Sequence, residues 1–218
     1  IHFPSTILWS GEPGLGKTLT SLAALIQADV WTGRHLVVVS NKTAIRSTWA
    51  EEIRKWTPDA KAYPVPDGWQ AREKVLDAFW DDEEGSRFLI ILPHMLQIKQ
   101  GHWCGKCEVW QEESTGKKII TELPMEHYSE GHGWKLDDMK CDWPELFDME
   151  NEKGKIVPFL WDSIIADECQ DYLLKVRPSQ AKNMPQWAIG MKRLKIRNGG
   201  MKIPITGTPM RGKEQNIF

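Results

Sequence analysis

No stretch of this chain stays apolar for the roughly 18 residues that a membrane-spanning helix needs. Nor does it open on a basic segment followed by a long apolar run, so no secretory leader is read at its start. Cysteine is scarce: four in 218 residues excludes a disulfide scaffold and fits a reducing, cytoplasmic compartment. A strong charge of either sign is also missing, the formal net charge being -2. That excludes a globally basic nucleic-acid binder, so any hold on a phosphate backbone must come from local patches. There is no internal repeat and no low-complexity tract. An initiator methionine is lacking and the chain stops abruptly after MRGKEQNIF, so it is expected to be a piece of a longer protein.

What is present suits a folded domain. The chain is 41% hydrophobic, enough for a sizeable core, and its length fits one α/β domain carrying a large insertion, or at most two small domains. Its twelve tryptophans run from Trp9 to Trp187. They read as core and interface filler before they read as a base-stacking platform, because several fall at core spacings in predicted helices. STILWS (Ser5 to Ser10) reads as a short buried strand. After a Gly-rich turn, Leu19, Leu22, Ala23 and Ile26 recur at helical spacing. HLVVVS (His35 to Ser40) is an unbroken run of the kind buried on both faces of a sheet. Ile45, Trp49, Ile53 and Trp56 make one helical stripe that ends before Pro58. Val75, Leu76, Phe79 and Trp80 make another.

Further strands are read at Arg87 to Leu92, Asp162 to Asp167 and Lys202 to Thr206, with a helix starting or breaking near Pro185. Strands alternating with helices predict a parallel α/β sheet, whose ligands bind beyond the carboxyl ends of the strands. The rhythm fails between residues 101 and 156, a polar stretch without a long periodic segment. It is read as an insertion between two parts of one domain, 1–100 and 157–218.

Two motifs carry chemistry. GEPGLGKT comprises Gly11, Glu12, Pro13, Gly14, Leu15, Gly16, Lys17 and Thr18, and matches the phosphate-binding pattern G-x-x-x-x-G-K-[ST]. It sits between a predicted strand and a predicted helix, the context that separates this motif from a chance Gly-rich turn. Gly14 and Gly16 let the backbone curl so that successive N–H groups face one anion, and the helix N-terminus adds its field. Lys17 can reach the β- and γ-phosphates, and the Thr18 hydroxyl can ligate Mg²⁺. The second motif is the pair Asp167 and Glu168, directly after the apolar run SIIA. Alone it would be a solvated turn. Opposite a phosphate loop, Asp167 reads as a metal-holding acid and Glu168 as the residue that orients or deprotonates an attacking water.

The insertion holds Cys104 and Cys107 as C-x-x-C, with His127, His132 and Cys141 downstream. Structural zinc is expected on Cys104, Cys107, His127 and His132, or on Cys104, Cys107, His132 and Cys141. Free buried thiols or a redox pair are the competing readings. MKRLKIRNGGMK (Met191 to Lys202) is locally basic and reads as a solvated helix face more readily than as a DNA contact.

In order, GEPGLGKT, VVVSNKTAIRSTWAEEIRKW, FLIILPHML, IIADECQ and ITGTPMRG resemble the first RecA-like lobe of superfamily-two helicases. Within that group the resemblance is closest to Swi/Snf-type DNA translocases, phage-encoded members included, and it covers nearly the whole chain apart from the insertion. It implies ATP and Mg²⁺ as cofactors, DNA, double-stranded, as partner, and hydrolysis coupled to movement along it. By the same resemblance Lys17 and Thr18 hold phosphate and metal, and Asp167 and Glu168 are the Walker B acids. Gln170 stands where the family has a coupling His. Thr206, Gly207 and Thr208 link hydrolysis to lobe movement, while Lys42 and Thr43 touch the nucleic-acid backbone. Thr43 also reads as a helix N-cap. The family's second lobe, with its arginine finger, would follow Phe218, so this segment alone is expected to bind ATP weakly and hydrolyse it slowly. The alternative reading is a AAA-type ATPase or clamp-loader-like switch, for which the separation of Lys17 from Asp167 is long. A degenerate module that holds nucleic acid without turnover is disfavoured by the intact Lys17, Asp167 and Glu168.

Overall fold

The fold is taken from a computed structural model, which describes residues 9–10, 16–104, 109–112, 135–169 and 186–207, with side chains at 16–97, 141–169 and 187–207. Along the chain run β1 (Trp9–Ser10), α1 (Lys17–Gln27) and β2 (Gly33–Val38). A π-helical segment (Ala44–Ala50) then leads into α2 (Glu51–Trp56), followed by β3 (Lys61–Pro64), α3 (Trp69–Asp81) and β4 (Ser86–Ile91). After a 3₁₀ turn (Pro93–Leu96) come β5 (Ile98–Cys104), β6 (Val109–Glu112), β7 (Lys135–Cys141), β8 (Asp148–Glu150) and β9 (Ile156–Pro158). The last elements are β10 (Leu160–Ala166), α4 (Gln186–Arg193) and β11 (Lys195–Thr206).

The main sheet has the order β1-β11-β10-β2-β4-β3, and every neighbouring pair is parallel. Its apolar runs alternate between two cores, as a period of two requires. Leu36, Val38, Leu89, Ile91, Ile164 and Ala166 face one core. Val37, Val39, Ile90, Ile165, Ile203 and Ile205 face the other. Leu76 and Phe79 of α3 close the first, with Trp187, Ile189 and Met191 of α4 packed against it. Leu22 and Leu25 of α1, Trp49 and Ile53 close the second. A parallel sheet between helical layers is the architecture expected of a RecA-like lobe.

Several local expectations change. In α1 the buried residues are Ser21, Leu22 and Leu25, whereas Leu19 and Ile26 are 38% and 54% exposed. The inward face is rotated by about 100°, one residue's turn, from the stripe the sequence suggested. Ser21 tolerates burial because its hydroxyl donates to the Lys17 carbonyl at 2.9 Å. In the next helical stretch Ile45, Trp49 and Ile53 are buried as expected, but Trp56 is exposed. The wider π turn brings Ala50 to the buried side and shifts the 3.6-residue register. β11 starts at Lys195 rather than Lys202, so the basic stretch divides between the end of α4 and a strand, and is not one helix face. There Arg197 pairs with the Asp162 carboxylate, whose Oδ2 also accepts the Arg34 backbone N–H at 2.8 Å.

The stretch read as irregular contains an antiparallel sheet of order β6-β5-β7 and the hairpin β8-β9. Its later part is not polar filler: Trp143, Leu146 and Phe147 join the first core, and the Trp161 indole donates to the Leu146 carbonyl at 3.0 Å. Trp49, Trp143 and Trp161 are buried, as core tryptophans should be. Among the described residues no helix is long and apolar enough to cross a membrane.

Candidate active site

The carboxyl ends of the strands assemble one cluster. β10 runs into Asp167, whose backbone N–H donates to the Val38 carbonyl at 2.8 Å and so extends the ladder with β2 by one rung. The chain then turns sharply, with Glu168 in the left-handed region at φ 49. A non-glycine residue held there is strained, and such strain concentrates at functional sites. The turn brings the Glu168 carboxylate back over the ends of the strands. The Gly207 backbone N–H, just past β11, donates to its Oε2 at 3.3 Å.

α1 begins at the same edge. Gly16 adopts φ 71 at its N-cap, a left-handed conformation that glycine reaches without penalty, and makes Lys17 the first helical residue. The first turn carries no acidic residue and no side-chain cap, so the positive end of the helix dipole is offered to an anion. The Lys17 ammonium lies 3.7 Å from Glu168 Oε1, although about 150 positions separate the two in sequence. That distance is an ionic contact rather than a tight hydrogen bond, and leaves room for exchange with an incoming anion. Thr18 follows as the second residue of the helix.

Asp167 is held from the other side. The indole Nε1–H of Trp49 donates to its Oδ2 at 2.8 Å. Burial pushes the Asp167 carboxyl up from the ordinary carboxylate range, while the indole hydrogen bond pulls it back down and the Glu168 charge adds to the rise. A desolvated carboxylate beside another acid is stabilised by a cation. Hard oxygen donors of this kind suit Mg²⁺ or Ca²⁺ rather than a softer metal. Thr206 is buried at the end of β11, beside this cluster.

Lys17, Asp167, Glu168, Thr206 and Gly207 therefore come together. Gly11, Glu12, Pro13, Gly14, Leu15, Gln170 and Thr208 lie outside the described residues. Lys42 and Thr43 line a cleft of their own, about 380 Å³, with Arg46, Ser47, Val65 and Asp67. Lys42 Nζ is 2.8 Å from Asp67 Oδ2, and this contact holds the Asp67 carboxyl below its usual range. Thr43 is not the N-cap it resembled: its backbone is already helical and its side chain makes no capping bond. Asn41 caps instead, its Oδ1 accepting the Ala44 N–H at 2.9 Å.

Of the expected zinc ligands, Cys107, His127 and His132 lie outside the described residues, and Cys104 is described only through its backbone in β5. Cys141 is a correction. It pairs with Ile98, six residues along β5 from Cys104, which at strand rise is roughly 20 Å away. Two thiolates on one zinc need Cα atoms within several ångströms, so the ligand set containing both Cys104 and Cys141 does not form. The Cys141 thiol instead accepts the Trp143 N–H at 3.4 Å, and burial raises its pKa. Among the described residues no group of three or more His, Cys, Asp or Glu side chains could hold a metal.

The residue that sequence reasoning missed is Trp49. Its place in a helical stripe identified the ring as core, and nothing in that pattern reveals where the N–H points.

No family model matches the chain. A stretch of 51 residues is 39% identical to a probable helicase of Escherichia phage T5. The match spans 23% of this chain and 10% of the phage protein.

Proposed function

We propose that this chain is the ATP-binding lobe of an ATP-dependent DNA helicase or translocase. The observation that carries the reading is the 3.7 Å contact between Lys17 and Glu168 at the carboxyl edge of a parallel sheet. In this reading the backbone of GEPGLGKT and the Lys17 ammonium take the triphosphate. Thr18 and Asp167, whose hard oxygen donors fit Mg²⁺, would hold it. Once held there it would supply charge neutralisation for the triphosphate. Glu168 exchanges its contact with Lys17 for an attacking water, which it orients and deprotonates. The Gly207 N–H on Glu168 ties that acid to the segment Thr206, Gly207 and Thr208, through which hydrolysis would be felt outside the site. Lys42 and Thr43 would meet the phosphodiester backbone of double-stranded DNA in their cleft, and a second lobe elsewhere in the protein would complete the motor. The similarity to a probable phage helicase supports this reading over a nucleotide switch of another class.

The test is DNA-stimulated ATP hydrolysis by the protein and two variants. Lys17→Ala and Glu168→Gln are each expected to lower turnover by at least about 100-fold. Glu168→Gln should still bind ATP, whereas Lys17→Ala should bind it poorly. Wild-type turnover by Glu168→Gln, or hydrolysis indifferent to DNA, would contradict the proposal.

A further inference from the structure

The Trp49 ring is fully buried, packed in the core with Leu22, Leu25 and Ile53. A phenylalanine would fill most of that volume without a polar atom to satisfy. Burying an indole N–H is favourable only when it finds an acceptor. Here the acceptor is Oδ2 of Asp167, at 2.8 Å. A hydrogen bond to a carboxylate at this distance is charge-assisted and directional. It fixes the carboxylate plane with a rigid ring whose own rotamer is locked by packing.

The backbone that carries Trp49 is itself unusual. Ala44–Ala50 is π-helical, a conformation that is intrinsically poor and persists where tertiary contacts impose it. The same seven residues supply Ile45, Arg46 and Ser47 to the cleft with Lys42, Thr43 and Asp67. One face of this short segment therefore meets the cleft, while its indole N–H meets Asp167. A change in the winding of this segment at the cleft would carry with it the Trp49 backbone and, through the packed ring, the indole N–H that holds the carboxylate.

We propose that Trp49 is a positioning residue. It sets the Asp167 carboxylate for a hard dication and makes metal binding at Asp167 respond to a phosphodiester backbone seated in the Lys42–Asp67 cleft. The proposal rests on the nucleotide reading above. It adds the physical link between the two sites, and by reciprocity the metal–nucleotide complex tightens the cleft by the same factor.

Trp49→Phe keeps the aromatic volume and deletes the N–H. Binding of a fluorescent ATP analogue is followed through a Mg²⁺ titration, with and without a short DNA duplex. In the variant the half-saturating Mg²⁺ concentration should rise roughly tenfold. Metal-free nucleotide affinity should stay unchanged, and the shift that the duplex causes in the wild type should disappear. A second measurement does not depend on the variant folding. In wild-type protein labelled with ¹⁵N at the indoles, Mn²⁺ with ATP should broaden one indole N–H resonance that ATP alone leaves sharp. An identical Mg²⁺ titration in Trp49→Phe, or no broadened indole, overturns the proposal while leaving the nucleotide reading intact. If the wild type shows no Mg²⁺-dependent nucleotide binding at all, the nucleotide reading falls and the proposal with it.

Discussion

His35 is buried where β2 meets β10, and its hydrogen bonds dictate its proton. Nε2 lies 2.6 Å from the Trp31 carbonyl, which can only accept, so that nitrogen carries the hydrogen. Nδ1 then accepts from the Ser163 hydroxyl at 2.9 Å. Burial pushes the pKa from 6.5 down to about 4. Between those two values the unfolded chain binds a proton that the folded chain refuses. The stabilising contribution is therefore complete above pH 6.5 and is lost as the pH falls towards 4. From pH 7 to pH 5 the loss is about 2 kcal/mol. Urea midpoints at the two pH values check it: wild type should lose that much more than His35→Gln, and parallel losses would contradict the assignment. At this scale the sequence was an uneven guide. Lys17, Asp167 and Glu168 stood out because each sits in a fixed local pattern, and Lys17 lies 3.7 Å from Glu168. His35 and Trp49 were not, since each acts through a partner more than 100 positions away, Ser163 and Asp167, and no local spacing encodes it.

At the scale of elements, the helix that begins after β2 is fixed by Asn41, not Thr43. Asn41→Ala should cost about 1 kcal/mol of stability and Thr43→Ala almost none, read from chemical denaturation of each variant. The reverse order would restore the capping role to Thr43. Which strands and helices form was largely readable, because unbroken apolar runs such as HLVVVS and RFLIIL have few other ways to be buried. Which face of a helix points inward was less so. α1 carries apolar residues around more than half its circumference, so Leu19 and Ile26 completed a plausible stripe that the sheet does not use. The π turn at Ala44–Ala50 broke the 3.6-residue spacing on which the placement of Trp56 depended. The start of β11 was hidden by its charge: Lys195 and Arg197 look like a solvated helix until Asp162 is seen to take Arg197.

At the scale of the molecule, the parallel sheet does the long-range work. β10 lies between β11 and β2, so Asp167 and Thr206 emerge on neighbouring strands. α1 begins at that same edge and brings Lys17 to Glu168. This convergence was foreseen only because two motifs imply each other; neither composition nor periodicity contains it. The stretch between β4 and β10 was opaque for the opposite reason. Its short antiparallel strands lack a strong apolar alternation, and Trp143, Leu146 and Phe147 are buried by a core that they join from far along the chain.

The account stands on Lys17 and Asp167 serving one Mg²⁺–triphosphate. A double-mutant cycle on Mg-ATP affinity, with Lys17→Ala, Asp167→Asn and the double variant measured by calorimetry, tests this most directly. Shared use of one ligand predicts that the two losses fall short of additivity by about 1 kcal/mol or more. Losses that add to within about 0.3 kcal/mol would mean that the two side chains act on separate things.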